Sequence, residues 1–318
     1  MSTPAQIAPP KHSVGFKHVL IATDFSAASE RALACALPIV QRYHSAVSIV
    51  HAISPETREP VTFDPLPAVL DRPRLRAERE MGRLADEAAI KNLSPHIVLE
   101  HGTVWDVLSS VIEREDIDLL VLGTHGRGGL KKLALGSVAE EVLRLATCPV
   151  LTIGPNVPLA DSGSFGFRSI LFATDFGPAS TKAFPYALAL AEDCQAKLIL
   201  LHMVPPIPVV DTAALAYCPG PYAAQEAEDW QSSSRKESAR RLRKLLPSDT
   251  QLTSQPEYVV GADFLPEGIL GTADAHRVDL IVMGANQVSF PRVAAHMPWA
   301  LTHDVLCKAK CPVLTVRS

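Results

Sequence analysis

Gly123, Gly126, Gly136 and Ser137 are spaced as glycine, two residues, glycine, nine residues and then glycine-serine. Residues of these types in this pattern suit the holding of an anion. Glycines let a backbone approach a ligand with no Cβ in the way. A small pair that opens a helix turns free N–H groups, and the positive end of the helix dipole, toward whatever lies beyond. Ser137 reads as the N-cap of that helix. Arg127 stands inside the glycine stretch, where a guanidinium would pair with phosphate. A carboxylate, Asp24, closes the segment Ala22-Thr23-Asp24 at the end of an apolar run. The pattern G-x4-G-K-[ST] occurs nowhere in the chain, which disfavours a P-loop NTPase or kinase. The dinucleotide fingerprint G-x-G-x-x-G does not follow the first strand-like run either.

Other residues carry weaker chemistry. His303, Cys307 and Cys311 stand at i, i+4 and i+8 with His296 upstream, a spacing that could hold zinc. Cys311, however, repeats Cys148, which has no such neighbours, and free cysteine is commonly a buried core residue, so no metal is expected. His51 and His202 end strand-like runs and read as core or pocket-edge packing, and His125, within the glycine loop, reads as a ligand neighbour rather than a catalyst. The basic stretches 71–80 and 235–246 interleave their charges with Ser, Glu and Leu at helical spacing, as solvated helix faces do.

These residues must be positioned by alternating elements. Apolar runs of five to seven residues (HVLIA, AVSIVHA, HIVLE, IDLLVLG, PVLTI) are strand-like and nearly continuous, as in strands buried on both faces. Longer helical stretches lie between them, so the fold class is α/β with a doubly wound open parallel sheet. The whole pattern occurs twice. HVLIATDFSAASERAL matches SILFATDFGPASTKAF, IDLLVLG matches VDLIVMG, and CPVLTI matches CPVLTV. Asp24 pairs with Asp175 and His51 with His202 at one constant offset, while Asp118 with Asp279 and Cys148 with Cys311 lie about ten residues further apart. The expected organisation is a flexible tail over 1–16, one domain over 17–154, a linker over 155–167 and a second domain over 168–318.

Composition agrees with two globular domains: 318 residues, 47% hydrophobic and 20% charged. A formal net charge of -4 argues against nucleic acid as a partner. No apolar run is long enough to span a bilayer. The N-terminal residues lack the apolar region of a signal peptide. The expectation is therefore a cytoplasmic chain, with no membrane partner, whose 6 cysteines stay thiols.

In its first half the chain resembles the ATP-binding universal stress proteins. The resemblance rests on Gly123, Gly126, Gly136 and Ser137, on ATDFS, on SIVHAI and on CPVLTI, and covers nearly all of 17–153. It implies five strands per repeat in the order 3-2-1-4-5, with the repeats packed as a pseudo-dimer through their last strands. It further implies that Ala22, Thr23 and Asp24 border adenine and ribose and that Ala52 offers backbone to the adenine. Leu122, Gly123 and Gly126 would line ribose and phosphates, and Gly136, Ser137 and Val138 would hold the phosphate tail. The implied ligand is ATP with Mg2+, with AMP or ADP as alternatives.

The second half departs from this pattern. Gly284 stands where Gly123 does, but Gln287 replaces the second glycine and Trp299-Ala300 face Gly136-Ser137, with Pro291 and Pro298 nearby. That half is expected to have lost its phosphate site. Three functions follow: a stress-response regulator that binds adenine nucleotide and signals to a protein partner, a slow ATP hydrolase with no catalytic residue evident, or a scaffold without nucleotide. A homodimer beyond the two internal repeats is a further expectation.

Overall fold

The computed structural model describes residues 14–54, 72–87, 90, 92–124, 135–158, 166–204, 221–263, 265–285 and 298–318. In chain order the elements are β1 (His18–Ala22), α1 (Ala27–Tyr43), β2 (Ala46–Ile53), α2 (Arg72–Asp86), β3 (His96–His101), α3 (Val104–Arg114), β4 (Leu119–Gly123), α4 (Ser137–Leu145) and β5 (Val150–Ile153). The second repeat follows with β6 (Ser169–Ala173), α5 (Pro178–Asp193), β7 (Lys197–Met203), α6 (Pro221–Leu245), β8 (Glu257–Gly261), α7 (Leu265–Ala275), β9 (Leu280–Ala285), α8 (Pro298–Lys308) and β10 (Val313–Arg317).

Strand and helix alternate because the apolar runs are short and almost unbroken. Val19, Leu20 and Ile21 in β1, and Ile170, Leu171 and Phe172 in β6, are all fully buried, as strands covered by helices on both faces must be. Helix α1 starts where Ser26 caps the backbone of Ser29 and stops at His44, which adopts the left-handed conformation. An aspartate before the fourth strand fastens the start of the first in each repeat. Asp118 accepts from the Lys17 and His18 amides at 2.7 and 3.2 Å, and Asp279 from Arg168 and Ser169 at 2.8 and 3.0 Å.

Two compact units divide the chain differently from the sequence repeats. One comprises Gly15–Phe165 together with Ala285–Arg317, the other Gly166–Gly284. In the first unit the strands are hydrogen-bonded in the order β3-β2-β1-β4-β5, all parallel, and β10 then joins β5 antiparallel. In the second unit the order is β9-β6-β7-β8, all parallel. The last helix and strand of the second repeat thus belong to the compact unit of the first. Thr152 donates its hydroxyl to the Val313 carbonyl and Thr315 to that of Val150. Asn156, just past the first repeat, donates to the Cys307 and Lys308 carbonyls at the end of α8. Gly154 admits that helix: a Cβ there would lie 3.0 Å from the Leu306 carbonyl oxygen.

The basic stretch of α6 presents Arg235, Lys236, Arg240, Arg243 and Lys244 to solvent, with Ser238 and Leu242 turned inward. Arg240 pairs with Glu237 at 2.7 Å. Among the described residues no helix is long and apolar enough to cross a membrane, and Cys35, Cys148, Cys194, Cys307 and Cys311 are not in disulfides.

Candidate functional site

Parallel strands deliver their carboxyl ends to one edge of the sheet, and the chain reverses direction across the sheet between β1 and β4. That switch point is where ligands bind in open α/β folds. Because Ile21 pairs with Val121, the segments after Ala22 and after Gly123 leave the sheet side by side.

The turn after β1 is built from its own side chains. Thr23 donates its amide to the Val50 carbonyl at 2.9 Å, and its hydroxyl to Ser29 Oγ at 3.1 Å. Asp24 Oδ1 accepts from the Ser26 amide at 3.0 Å, an Asx turn that leads into α1. Between them Phe25 sits at φ 61°, and its ring tilts against His51 with centroids 4.4 Å apart. His51 Nδ1 bonds to the Thr23 carbonyl at 2.7 Å. His51 therefore holds the turn from the end of β2, and Ala52 follows it there, paired with Glu100 of β3. Phe25 and Ser29 lay in the matched ATDFSAAS stretch but had no assigned role in the sequence reading. Their repetition was the signal.

After β4 the chain needs its glycines for packing first. A Cβ on Gly123 would lie 2.8 Å from the Ala28 carbonyl carbon and oxygen. Gly123 therefore exists to let α1 lie close to β4, whatever else approaches it. Leu122 beside it is buried and pairs with Thr152 of β5. Gly126 and Arg127, with His125, lie outside the described residues. The chain returns at Leu135–Gly136, where Gly136 donates its amide to the Thr124 carbonyl at 2.9 Å.

One sequence expectation is corrected here. The N-cap of α4 is Gly136, at φ -65° and ψ 146°, and Ser137 is the first helical residue. No side chain caps this turn. The physical reason is the approach of Gly136 to Thr124, whose carbonyl oxygen lies 3.1 Å from where a Cβ would stand. A serine at that position would crowd the carbonyl. Ser137 and Val138 are exposed, Val138 by 37%. The first turn of α4 thus presents its amides and positive dipole end at the switch point without a competing cap, which fits a phosphate group.

The second repeat has the same turn but not this helix start. Thr174, Asp175 and Phe176 follow β6, with Phe176 at φ 60° and His202 Nδ1 2.8 Å from the Thr174 carbonyl. A Cβ on Gly284 would lie 2.3 Å from the Ser180 amide nitrogen, so this glycine, too, is kept for helix packing. Helix α8 starts at Pro298, so Trp299 is its second residue and falls inside the helix, whereas the aligned Gly136 stands before one. Gln287, Pro291 and His296 lie outside the described residues.

The model of the universal stress protein family matches residues 15–154 and again 166–317. The chain belongs to the universal stress protein family. It is 29% identical over 142 residues to a universal stress protein of Methanocaldococcus jannaschii, a match covering 43% of this chain and 82% of that one. It is 30% identical over 144 residues to universal stress protein A homolog 1 of Coxiella burnetii, covering 43% of this chain and 96% of the other. These relatives therefore correspond to one repeat. The crystal structure of a universal stress protein from Archaeoglobus fulgidus superposes with a TM-score of 0.62 at 16% identity, covering 94% of this chain and 98% of that one. This likeness extends the tandem fold over nearly the whole chain.

Among the described residues no group of three or more His, Cys, Asp or Glu is arranged to hold a metal ion. His303 and Cys307 do approach each other, Nε2 to Sγ at 3.9 Å. Burial pushes the Cys307 thiol up, and the Asp304 carboxylate adds to that push.

Proposed function

We propose that this universal stress protein binds ATP, or a related adenine nucleotide, in its first unit and acts as a nucleotide-dependent regulator, the second repeat having lost its own phosphate turn. The observation that carries the reading is the start of α4, with no side-chain cap at Gly136 and with Ser137 and Val138 exposed, beyond the end of β4, the strand that neighbours β1 at the switch point. A phosphate tail there would meet backbone N–H groups and the positive end of a helix dipole. In this reading Asp24, two residues past β1, would meet the ribose, and Ala52, near the end of β2, the adenine. Leu122 and Gly123, at the end of β4, would line the ribose and phosphates. Gly126 and Arg127 complete the proposed set from the sequence.

The test is to denature freshly purified protein, quantify the released nucleotide by chromatography, and titrate the emptied protein with ATP with and without Mg2+. About one adenine nucleotide per chain is expected. Ser137→Asp separates binding from folding. A carboxylate in the first turn favours the helix by about 0.3–1 kcal/mol, yet repels phosphate. ATP affinity should fall about tenfold or more, about 1.4 kcal/mol, with the thermal midpoint unchanged or raised. No released nucleotide and no ATP binding at millimolar concentration would overturn the reading.

A further inference from the structure

The second repeat returns its last helix to the unit that holds the proposed site, and that helix touches the phosphate turn. The Leu135 amide donates to His303 Nε2 at 3.4 Å. Leu135 immediately precedes Gly136, whose own amide is fastened to the Thr124 carbonyl at 2.9 Å. Thr124 is fixed in turn by its amide, which donates to the Ile153 carbonyl at 3.0 Å. Two successive amides before the first turn of α4 are thus held by different partners, one from β4's end and one from the other repeat.

We propose that His303 is a positioning residue for the nucleotide site of the first unit, supplied by the repeat that has lost its own. His303 is rigidly placed. Helix α8 is tied at its end to Asn156, and the following β10 is paired with β5. The imidazole is oriented from both sides: Nδ1 faces Asp304 Oδ1 at 3.4 Å, and Asp304 is itself bound to Lys308 at 3.1 Å. Since Nε2 accepts the Leu135 N–H, the ring proton lies on Nδ1, toward Asp304. The Leu135 amide also lies within hydrogen-bond reach of the Cys307 sulfur one turn further along α8, a weak acceptor. Without the imidazole the approach to Gly136 and Ser137 keeps only that sulfur and the Thr124 bond, and the amides that would meet the phosphates lose part of their fixed direction. The second repeat is then retained for the helix and strand it supplies, not for a ligand of its own.

The inference rests on the nucleotide reading for its functional part, and the experiment tests the two separately. Its readouts are the ATP dissociation constant and the hydrogen-exchange rate of the Leu135 amide in nucleotide-free, full-length protein, for wild type, His303→Ala, His303→Gln and His303→Asn. The imidazole is 30% exposed, so its truncation leaves the core intact. The expected result is about three- to tenfold weaker ATP binding and faster Leu135 exchange in His303→Ala, in line with the loss of one hydrogen bond. His303→Gln, whose amide oxygen reaches as far as Nε2, should restore both, and the shorter His303→Asn should restore neither. Wild-type affinity and exchange in His303→Ala would overturn the proposal, as would equal rescue by Gln and Asn. A wild type that binds no ATP would instead sink the nucleotide reading, and Leu135 exchange would still decide the contact with His303.

Discussion

The turn after the first strand is constructed alike in the two repeats, and the helix start facing it is not. Phe25 and Phe176 share φ values of 61° and 60°, and each ring lies 4.4 Å from its histidine at an angle of 38°. The carboxylate is used differently, however. Asp24 accepts from the Ser26 amide, and Ser26 itself caps α1. In the second repeat Gly177 cannot cap, and Asp175 takes both the Gly177 amide at 2.8 Å and the Ser180 hydroxyl at 2.7 Å. Beside Phe25 lies a cavity of about 120 Å³ lined in part by Thr23, Ser29, Glu80 and Arg83. Arg241, as far before β8 as Glu80 is before β3, instead stacks on Phe176 at 4.0 Å from the ring centre. The lesson is that Thr-Asp-Phe and the glycine after the fourth strand persist for structural reasons. They survive in a repeat that lacks the glycine-serine turn, so by themselves they do not mark a nucleotide site.

The largest test of this comparison is steric. Gly284→Val forces a side chain onto the backbone of α5, where a Cβ alone would lie 2.3 Å from the Ser180 nitrogen. It should cost about 3 kcal/mol or more, or prevent folding of that unit. Gly123→Val meets the Ala28 backbone at 2.8 Å and should cost about 1–3 kcal/mol. Urea melts measure both, and small equal losses would break the argument that these glycines set strand–helix distances. Loss of ATP in Gly123→Val would accordingly report packing, so Ser137→Asp is the cleaner probe of the site.

Next come the aspartates. Asp175→Ala loses the Gly177 amide and Ser180 hydroxyl bonds and should cost about 1.5 kcal/mol, against about 0.5–1 kcal/mol for Asp24→Ala. Only Asp24→Ala should also weaken ATP binding. Reversed stabilities, or equal effects on ATP, would show that the two carboxylates do not differ in the way their bonds indicate.

The smallest effect lies at Arg241. Arg241→Met removes a cation from the Phe176 face, worth about 0.5–1 kcal/mol. Burial holds His202 below the usual histidine range, against the upward pull of the Thr174 carbonyl, and the Arg241 charge lowers it further. With the folded value below the unfolded one, the unfolded chain takes up the proton first. His202 therefore contributes stability that is fully present above about pH 6.5 and is lost as the pH falls through its folded value. Arg241→Met should raise the His202 pKa toward its ordinary value and soften that acid loss, as an NMR titration of the imidazole would show. An unmoved titration would mean that Arg241 does not act on the histidine.

Much of this was legible in the residues. The strand-like runs fell on the strands: HVLIA coincides with β1, and AVSIVHA and HIVLE lie within β2 and β3. Unbroken apolar runs flanked by amphipathic helices leave few alternatives. The positions of Gly136 and Ser137 were also legible, but not which of them caps the helix. That depended on how near Thr124 lies, a distance between residues far apart in sequence. The same is true of Phe25, a non-glycine residue in the left-handed region, where local preference argues against it and the His51 ring and the Thr23 hydroxyl help to hold it.

The sequence by itself determined the α/β class, the two repeats and the loss of the glycine-serine turn from the second, because periodicity, internal matching and residue type are local properties. Only the tertiary structure decided that α8 and β10 complete the first unit, that Gly123 and Gly284 are spacers for helices, and that His303 reaches Leu135. Each of these is a meeting of backbone segments distant along the chain, and no local pattern encodes the separation at which they come to rest.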